Sequence, residues 1–168
     1  MPIPQSVTAS SALTQKQAYS GELALSSLAR LRAALVDDAG ALRVQLQAHK
    51  ARGRESLQGT IDGELALSCV RCEARMAWPL HVDVDLRLVH TEEDEQAVLH
   101  EADPYRVQDD RLPLQEIVED EVLLALPMLP RCESCENAVQ AAAGPEGEDA
   151  AVRREANPFA ALKERLGK

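Results

Sequence analysis

Leu65-Ala66-Leu67-Ser68-Cys69-Val70-Arg71-Cys72 is a strand-like run that ends in a Cys-x-x-Cys motif. A second strand-like run begins at Met76 and alternates apolar and polar residues as far as Leu88. Two such runs around a short connection are typical of a β-hairpin, so the first cysteine pair is expected at its turn. The other two of the four cysteines form a second motif, Cys132-Glu133-Ser134-Cys135.

The two motifs together predict a structural zinc site. A Cys-x-x-Cys turn directs two sulfur atoms to one point, and two such turns supply the four thiolates of a tetrahedral site. The predicted zinc ligands are Cys69, Cys72, Cys132 and Cys135. Because 59 residues separate the two motifs, far more than in a zinc finger, the fold would have to assemble the site.

Three alternatives for the cysteines stay open: two disulfides, a redox-active pair, or four unliganded thiols. The residues that follow Met1 do not form a signal peptide, so nothing indicates an oxidising compartment that favours disulfides. A redox motif normally begins a helix after a strand, whereas the first motif here separates two strand-like runs. Both observations favour the metal.

The remaining elements predict an α+β fold. Residues 41–48 alternate apolar and polar side chains at a period of two, which indicates a half-buried strand. A helix is expected at 28–36, with Leu28, Leu31, Leu35 and Val36 on one face, and a second helix after Pro113. The predicted fold is therefore an antiparallel β-sheet with two packed helices, a four-cysteine zinc knuckle pair, and disordered N- and C-terminal tails.

Composition divides the chain into four parts. Residues 1–17, rich in Ser, Thr and Gln, are predicted to be a flexible N-terminus, and residues 18–136 a single α+β domain. Residues 137–156 are predicted to be a flexible linker and residues 157–168 a C-terminal docking segment. Within the domain, the acidic segment 91–108 lacks a sustained apolar period and is expected to be a loop.

Charge is unevenly distributed. The formal net charge is −10, and residues 92–121 alone hold twelve acidic side chains against two arginines. An acidic chain with a pI near 4.9 lacks the basic footprint of a free-standing nucleic-acid-binding protein and is better suited to a basic partner. A solvated acidic loop that only confers solubility is the alternative. No apolar run approaches the ~20 residues that span a bilayer, so a soluble, cytoplasmic protein is expected.

Three blocks of the sequence resemble the bacterial large ribosomal RNA subunit accumulation protein family, known as YceD. They are the run from Glu64 to Cys72, the run Val118-Glu119-Asp120-Glu121-Val122-Leu123-Leu124-Ala125-Leu126-Pro127-Met128-Leu129-Pro130, and Asn157-Pro158-Phe159-Ala160-Ala161-Leu162. Their order agrees with the family, and the middle block is the most specific. The resemblance implies a role in the synthesis, processing or stability of large-subunit 23S ribosomal RNA, and it implies no catalytic residue.

The predicted function is that of a non-enzymatic ribosome-biogenesis factor. The chain has no G-x-S-x-G, Walker or H-E-x-x-H motif and no feature of a small-molecule or membrane site. The expected partners are ribosomal or rRNA-processing proteins. The predicted partner-binding residues are Glu119, Asp120, Glu121, Asn157, Pro158 and Phe159.

Arg71 and Arg75, beside the first cysteine pair, are candidates for an indirect or weak contact with rRNA. The competing interpretation is that these arginines balance the negative charge of a tetrathiolate site.

Two other functions stay open. One is a metal-dependent RNA-processing enzyme in which the acidic face of the second helix, Glu116 to Glu121, holds Mg²⁺. The other is a zinc-stapled adaptor protein unrelated to RNA. A solvated helix face is the simpler interpretation of these carboxylates.

Overall fold

The computed structural model describes residues 3–51 and 53–136. The strands and helices, in chain order, are β1 (Val7–Thr8), α1 (Ala9–Thr14), β2 (Ala18–Ala24), α2 (Ala29–Arg32), β3 (Ala41–Ala51), β4 (Arg54–Ser68), β5 (Arg75–Val89), α3 (Glu92–Val98), β6 (Asp103–Arg106), β7 (Arg111–Leu112) and α4 (Leu114–Ala125). A single 3₁₀ turn, Leu25–Ser27, precedes α2. The predicted α+β class is confirmed.

Five strands form the main sheet in the order β2-β3-β4-β5-β6. The strands β2, β3, β4 and β5 pair antiparallel with one another, as predicted, whereas β6 runs parallel to β5. The alternating run expected from Ala41 is strand β3, whose Leu42, Val44 and Leu46 are buried on one face. The sheet is therefore mixed, because α3 carries the chain back before β6 pairs with β5.

The hydrophobic core lies on one face of this sheet, against α1, α2 and α4. Ile61 and Leu65 of β4 pack there with Ile117 and Val118 of α4, and all four are almost inaccessible to solvent. Burying an aliphatic side chain of this size stabilises a fold by ~1.5–3 kcal/mol. The other face of the sheet is polar, with cross-strand neighbours such as Ser56 and Arg87.

Residues 3–17 depart from the prediction of a flexible N-terminus. Residues 3–17 include β1, which pairs with β7, and α1. Ile3, Ala12 and Leu13 are buried in the core. The composition of this segment is polar, but its few apolar residues coincide with the face that α1 turns to the sheet, so tertiary packing orders it.

The acidic segment 91–108 is also more regular than predicted. The Thr91 side chain caps α3 by accepting the backbone N–H of Asp94 at 3.1 Å. The first turn of α3 is entirely acidic, which the helix dipole favours at that end. None of the α3 side chains is buried, which explains why no apolar period predicts it.

The predicted helix over residues 28–36 is much shorter in the structure. α2 has four residues, and the chain then turns back so that Val36 N–H donates to the Ala66 carbonyl at 2.9 Å. Leu28 and Leu31 are buried as expected, but Val36 is mostly exposed. Pairing with the edge of β4 therefore ends the helix early. Four helices in all, not two, are present in the described residues.

Candidate functional site

The first cysteine pair lies at the turn between β4 and β5, as predicted. Ser68 and Arg75 form the last pair of the hairpin. Cys69 N–H donates to the Ala74 carbonyl at 2.9 Å, and Glu73 N–H donates to the Cys69 carbonyl at 2.9 Å. These bonds close a tight turn that leaves Cys69 buried and Cys72 exposed.

The second cysteine pair follows α4 and has its own local turn. The N–H groups of Cys135 and Glu136 both donate to the Cys132 carbonyl at 3.0 Å. Cys132 and Cys135 are partly exposed. In the described parts of the chain these two residues and the first pair bring their four Sγ atoms within 4.8 Å of one another.

The four sulfur atoms have the spacing that a metal needs. Four thiolates at Zn–S distances of about 2.3 Å in a tetrahedron would be about 3.8 Å apart. The observed separations, all within 4.8 Å, are compatible with this distance. The cluster can therefore bind a metal ion, and no other close group of His, Cys, Asp or Glu ligands occurs among residues 3–51 and 53–136.

The segment that follows α4 is tied to the first cysteine turn. Val70 N–H donates to the Pro130 carbonyl at 2.9 Å. Pro127 and Pro130 bracket this segment and prevent the helix from continuing. α4 accordingly ends at Ala125, before these two prolines.

Glu119, predicted to lie on a solvated partner-binding face, is instead an internal residue. Its side chain is 8% exposed, and Oε1 accepts the backbone N–H groups of Arg30 at 2.7 Å and Leu31 at 3.0 Å. Oε2 is 3.0 Å from the Arg30 guanidinium. Burial acts to raise the Glu119 pKa, but these hydrogen bonds and the Arg30 charge outweigh it and lower the pKa below its ordinary value. Sequence periodicity missed this role because Arg30 and Leu31 lie in a distant part of the chain.

Asp120 and Glu121 remain closer to solvent. Asp120 Oδ1 is 2.5 Å from the Arg30 guanidinium, in an exposed ion pair. Glu121 is half-buried, and its burial together with the nearby charges of Asp103 and Asp120 raises its pKa. Both residues stay candidates for partner contact.

The two arginines predicted beside the cysteines have different surroundings. Arg71 is exposed. Arg75 donates to Asp37 Oδ2 at 2.8 Å, so part of its charge is compensated within the fold. The contact of these arginines with rRNA stays a prediction, and it is weaker for Arg75.

Large apolar side chains are exposed at and after the end of α4. Leu124 is 81% exposed and Met128 is 97% exposed, and Leu129 is also mostly exposed. Leu124 lies on the side of α4 away from the core, whereas Leu123 and Leu126 are partly buried against the core. Leu124, Met128 and Leu129 are called the apolar patch below.

Asn157, Pro158 and Phe159, the predicted docking residues of the C-terminal segment, lie outside the described residues, as does the predicted linker 137–156. In the described ranges no helix has the length and apolar composition needed to cross a membrane.

The fold and the cysteine cluster define a small α+β domain with a candidate four-cysteine metal centre and no predicted catalytic motif. Over residues 57–164 the sequence matches the family described as "Large ribosomal RNA subunit accumulation protein YceD". The chain belongs to this family. The match includes both cysteine pairs and α4.

The protein "Uncharacterized protein YlbN" of Bacillus subtilis (strain 168) is similar to this chain, with 31% identity over 109 residues. That alignment covers 64% of this chain and 60% of the relative, so the chain spans less than two thirds of the relative's length. No solved structure matches the chain.

Proposed function

We propose that this chain is a non-enzymatic factor, acting in the cytoplasm, that is needed for the synthesis, processing or stability of large-subunit 23S rRNA. The observation that carries the proposal is the family match over residues 57–164, since the family is described by ribosomal RNA accumulation. The carboxylates of α4 do not support an enzyme. Glu119 is used inside the fold, and the close ligand group of the described residues consists of cysteines alone.

The proposed mode of action is binding to a basic ribosomal or rRNA-processing protein. Asp120 and Glu121 on α4 supply negative charge, and the apolar patch follows them along the chain. The apolar patch beside these negative charges would suit a partner segment in which Lys or Arg lies next to a large apolar side chain.

Glu121 supports this assignment energetically. A carboxylate that is half-buried beside Asp103 and Asp120 is less stable in its charged form than one in water. A partner cation placed there would relieve that repulsion. Binding would then be more favourable by the free energy that the unbound protein loses by keeping Glu121 charged. Functional surfaces commonly hold groups whose charge disfavours the unbound state.

For the cysteine cluster we propose a structural zinc ion bound by Cys69, Cys72, Cys132 and Cys135. Four thiolates and no open position are the ligand set of a structural zinc site. When bound, the ion would supply cross-linking between two distant parts of the chain and no catalytic step.

The deciding experiment measures 23S precursor and mature rRNA in a strain that lacks the protein, with and without the wild-type gene. We expect precursor accumulation or loss of mature 23S rRNA, restored by wild type. The variant Asp120→Lys/Glu121→Lys should restore less than the matched control Glu92→Lys/Glu93→Lys, which changes the same charge on the exposed surface of α3. Normal rRNA in the deletion strain would contradict the proposal.

The partner is identified by crosslinking and affinity capture of the full chain, comparing wild type with Leu124→Ser/Met128→Ser. We expect a basic large-subunit or processing protein that the variant loses. Cleavage of precursor rRNA by the purified protein with Mg²⁺ would contradict the non-enzymatic assignment.

A further inference from the structure

We propose that the open polar face of the main sheet binds the phosphate groups of RNA through a groove beside His49 that carries the positive charges of Arg54 and Arg87. The groove has a volume of ≈ 590 Å³ and is lined by His49, Ala51, Arg54, Ser56, Gln58 and Arg87. The inference deepens the proposed function, on which it rests, by giving the rRNA a direct contact on this chain. It uses a face opposite to the core that α4 covers.

The register of the sheet creates this groove. His49 of β3 stands opposite Ser56 of β4, and Ser56 stands opposite Arg87 of β5. Residues directly opposite across strands have side chains on the same face, so His49, Ser56 and Arg87 form one row. Arg54 follows at the start of β4 on the same side as Ser56, because alternate residues of a strand share a face.

The two arginines of the groove are available to an anion. Across residues 3–51 and 53–136, neither Arg54 nor Arg87 forms an ion pair, whereas Arg30, Arg75 and Arg106 all do. Arginine offers a planar set of N–H donors that matches phosphate oxygens.

The nearest carboxylates do not occupy the groove. Glu55 lies on the other face of β4, where it accepts from Lys50 Nζ at 2.6 Å and contacts His90 Nε2 at 2.8 Å. Asp85 is on the groove's face, but its Oδ1 accepts the Gln58 amide N–H at 2.8 Å. The lining itself therefore contains no carboxylate, although the whole chain is acidic.

A second depression of ≈ 330 Å³ continues the groove across β3 and shares His49 and Gln58 with it. Its polar lining includes Gln45, Gln47 and Thr60. Amide and hydroxyl groups of this kind can hydrogen-bond ribose 2′-hydroxyls and base edges. Because the proposed contacts come from two arginines and from amide and hydroxyl groups, we infer weak, salt-dependent and largely sequence-independent binding.

The test uses the full chain and a fluorescein-labelled single-stranded oligoribonucleotide of about 12 nucleotides, with Kd measured by anisotropy over a range of salt. We expect Arg54→Ala/Arg87→Ala to weaken binding at least tenfold and to reduce the slope of log K against log salt by about 1.4, or ~0.7 per phosphate contact. Arg54→Lys/Arg87→Lys should retain most of the affinity and remains informative if the alanine variant fails to fold.

The matched control is Arg32→Ala/Arg43→Ala, which also removes two positive charges. Arg32 lies 3.9 Å from Asp38, and Arg43 stands between Glu22 and Asp62 in the sheet register. We expect a change of less than about twofold, because Arg32 has a carboxylate partner and Arg43 stands beside two carboxylates in the sheet register, which lowers the positive potential at both positions. If both double variants lose the same affinity, binding depends on overall charge and the proposed site is overturned. The absence of binding by wild type at low salt would also overturn it.

Failure of this inference is distinguishable from failure of the proposed function. If wild type restores 23S rRNA in the deletion strain but does not bind the oligoribonucleotide, the groove is overturned and the proposed function stands. If it binds but deletion leaves rRNA normal, the proposed function falls and the phosphate site remains.

Discussion

The carboxylate of Glu119 on α4 accepts the backbone N–H of Leu31 at 3.0 Å, although the two residues are 88 positions apart. α2 has no side-chain cap of its own, and the same carboxylate also accepts the Arg30 N–H. A distant side chain therefore does the work of an N-cap residue and joins α2 to α4.

Removing this cap should destabilise the whole domain. We expect Glu119→Ala to lower the free energy of unfolding by roughly 2–3 kcal/mol, since it leaves two N–H groups and the Arg30 guanidinium without their acceptor. Asp120→Ala is the control, because Asp120 forms only an exposed ion pair and should cost less than about 0.5 kcal/mol. Equal costs in urea denaturation would contradict the trans-capping role.

The same bond predicts a pH dependence. The Glu119 pKa is lowered on folding, so its contribution to stability is present above the ordinary carboxyl pKa and is lost as pH falls through the lowered folded value. Glu119→Gln should therefore flatten the acid limb of the stability curve relative to wild type. Denaturation between pH 7 and pH 3 measures this, and an unchanged acid limb would count against it.

Glu121 should behave in the opposite way. Burial and the charges of Asp103 and Asp120 raise its pKa, so the ionised form weakens the fold as pH rises through that value. We expect Glu121→Gln to stabilise the domain at pH 7, by less than about 1 kcal/mol because the site is partly solvated, and to have no effect at low pH. A loss of stability at pH 7 would show that Glu121 is favourably paired.

Local periodicity predicts β3 and α4 well, because the buried residues of β3 recur at the strand period and those of α4 at the helix period. The same method fails for Glu119, since a charged residue beside Asp120 and Glu121 looks solvated until its contact with Leu31 is known. The proximity of Cys69 and Cys132 is predictable despite their separation in sequence. Four thiolates that bind one metal ion must lie close together, whichever strands and helices carry them.

The N-terminal segment is a second case in which the sequence pattern does not predict the structure. Composition makes residues 3–17 look unstructured because the buried side chains of α1 are few, two of them alanines. These residues stabilise the segment by packing closely against the sheet. Small residues such as alanine do not produce a strong apolar pattern in the sequence, so this packing is hard to predict. The pairing of β1 with β7 likewise depends on residues about a hundred positions away.

Leu13 tests whether this segment belongs to the folded unit. Because its side chain is 3% exposed, Leu13→Ala should lower the free energy of unfolding by ~2–4 kcal/mol. Gln15→Ala, at the exposed end of α1, should change it by less than about 0.5 kcal/mol. A Leu13→Ala protein as stable as wild type would return residues 3–17 to the status of a dispensable tail.

The zinc proposal predicts how many metal ions the protein binds and that mutation of either cysteine pair has the same effect. Elemental analysis of purified protein should give about one zinc per chain, because four thiolates fill one tetrahedral site. Cys69→Ser and Cys132→Ser should lose the metal and lower stability to a similar extent, because either change opens the same cross-link.

Ser134→Ala provides the control within the second turn, since it changes no thiolate, and it should retain the metal. A chelator should reduce the melting temperature of wild type and leave Cys132→Ser unaffected. A metal-free wild type that is as stable as the metal-loaded protein would contradict the proposal. A loss of stability in Cys69→Ser alone would instead attribute the effect to the burial of Cys69 in its own turn.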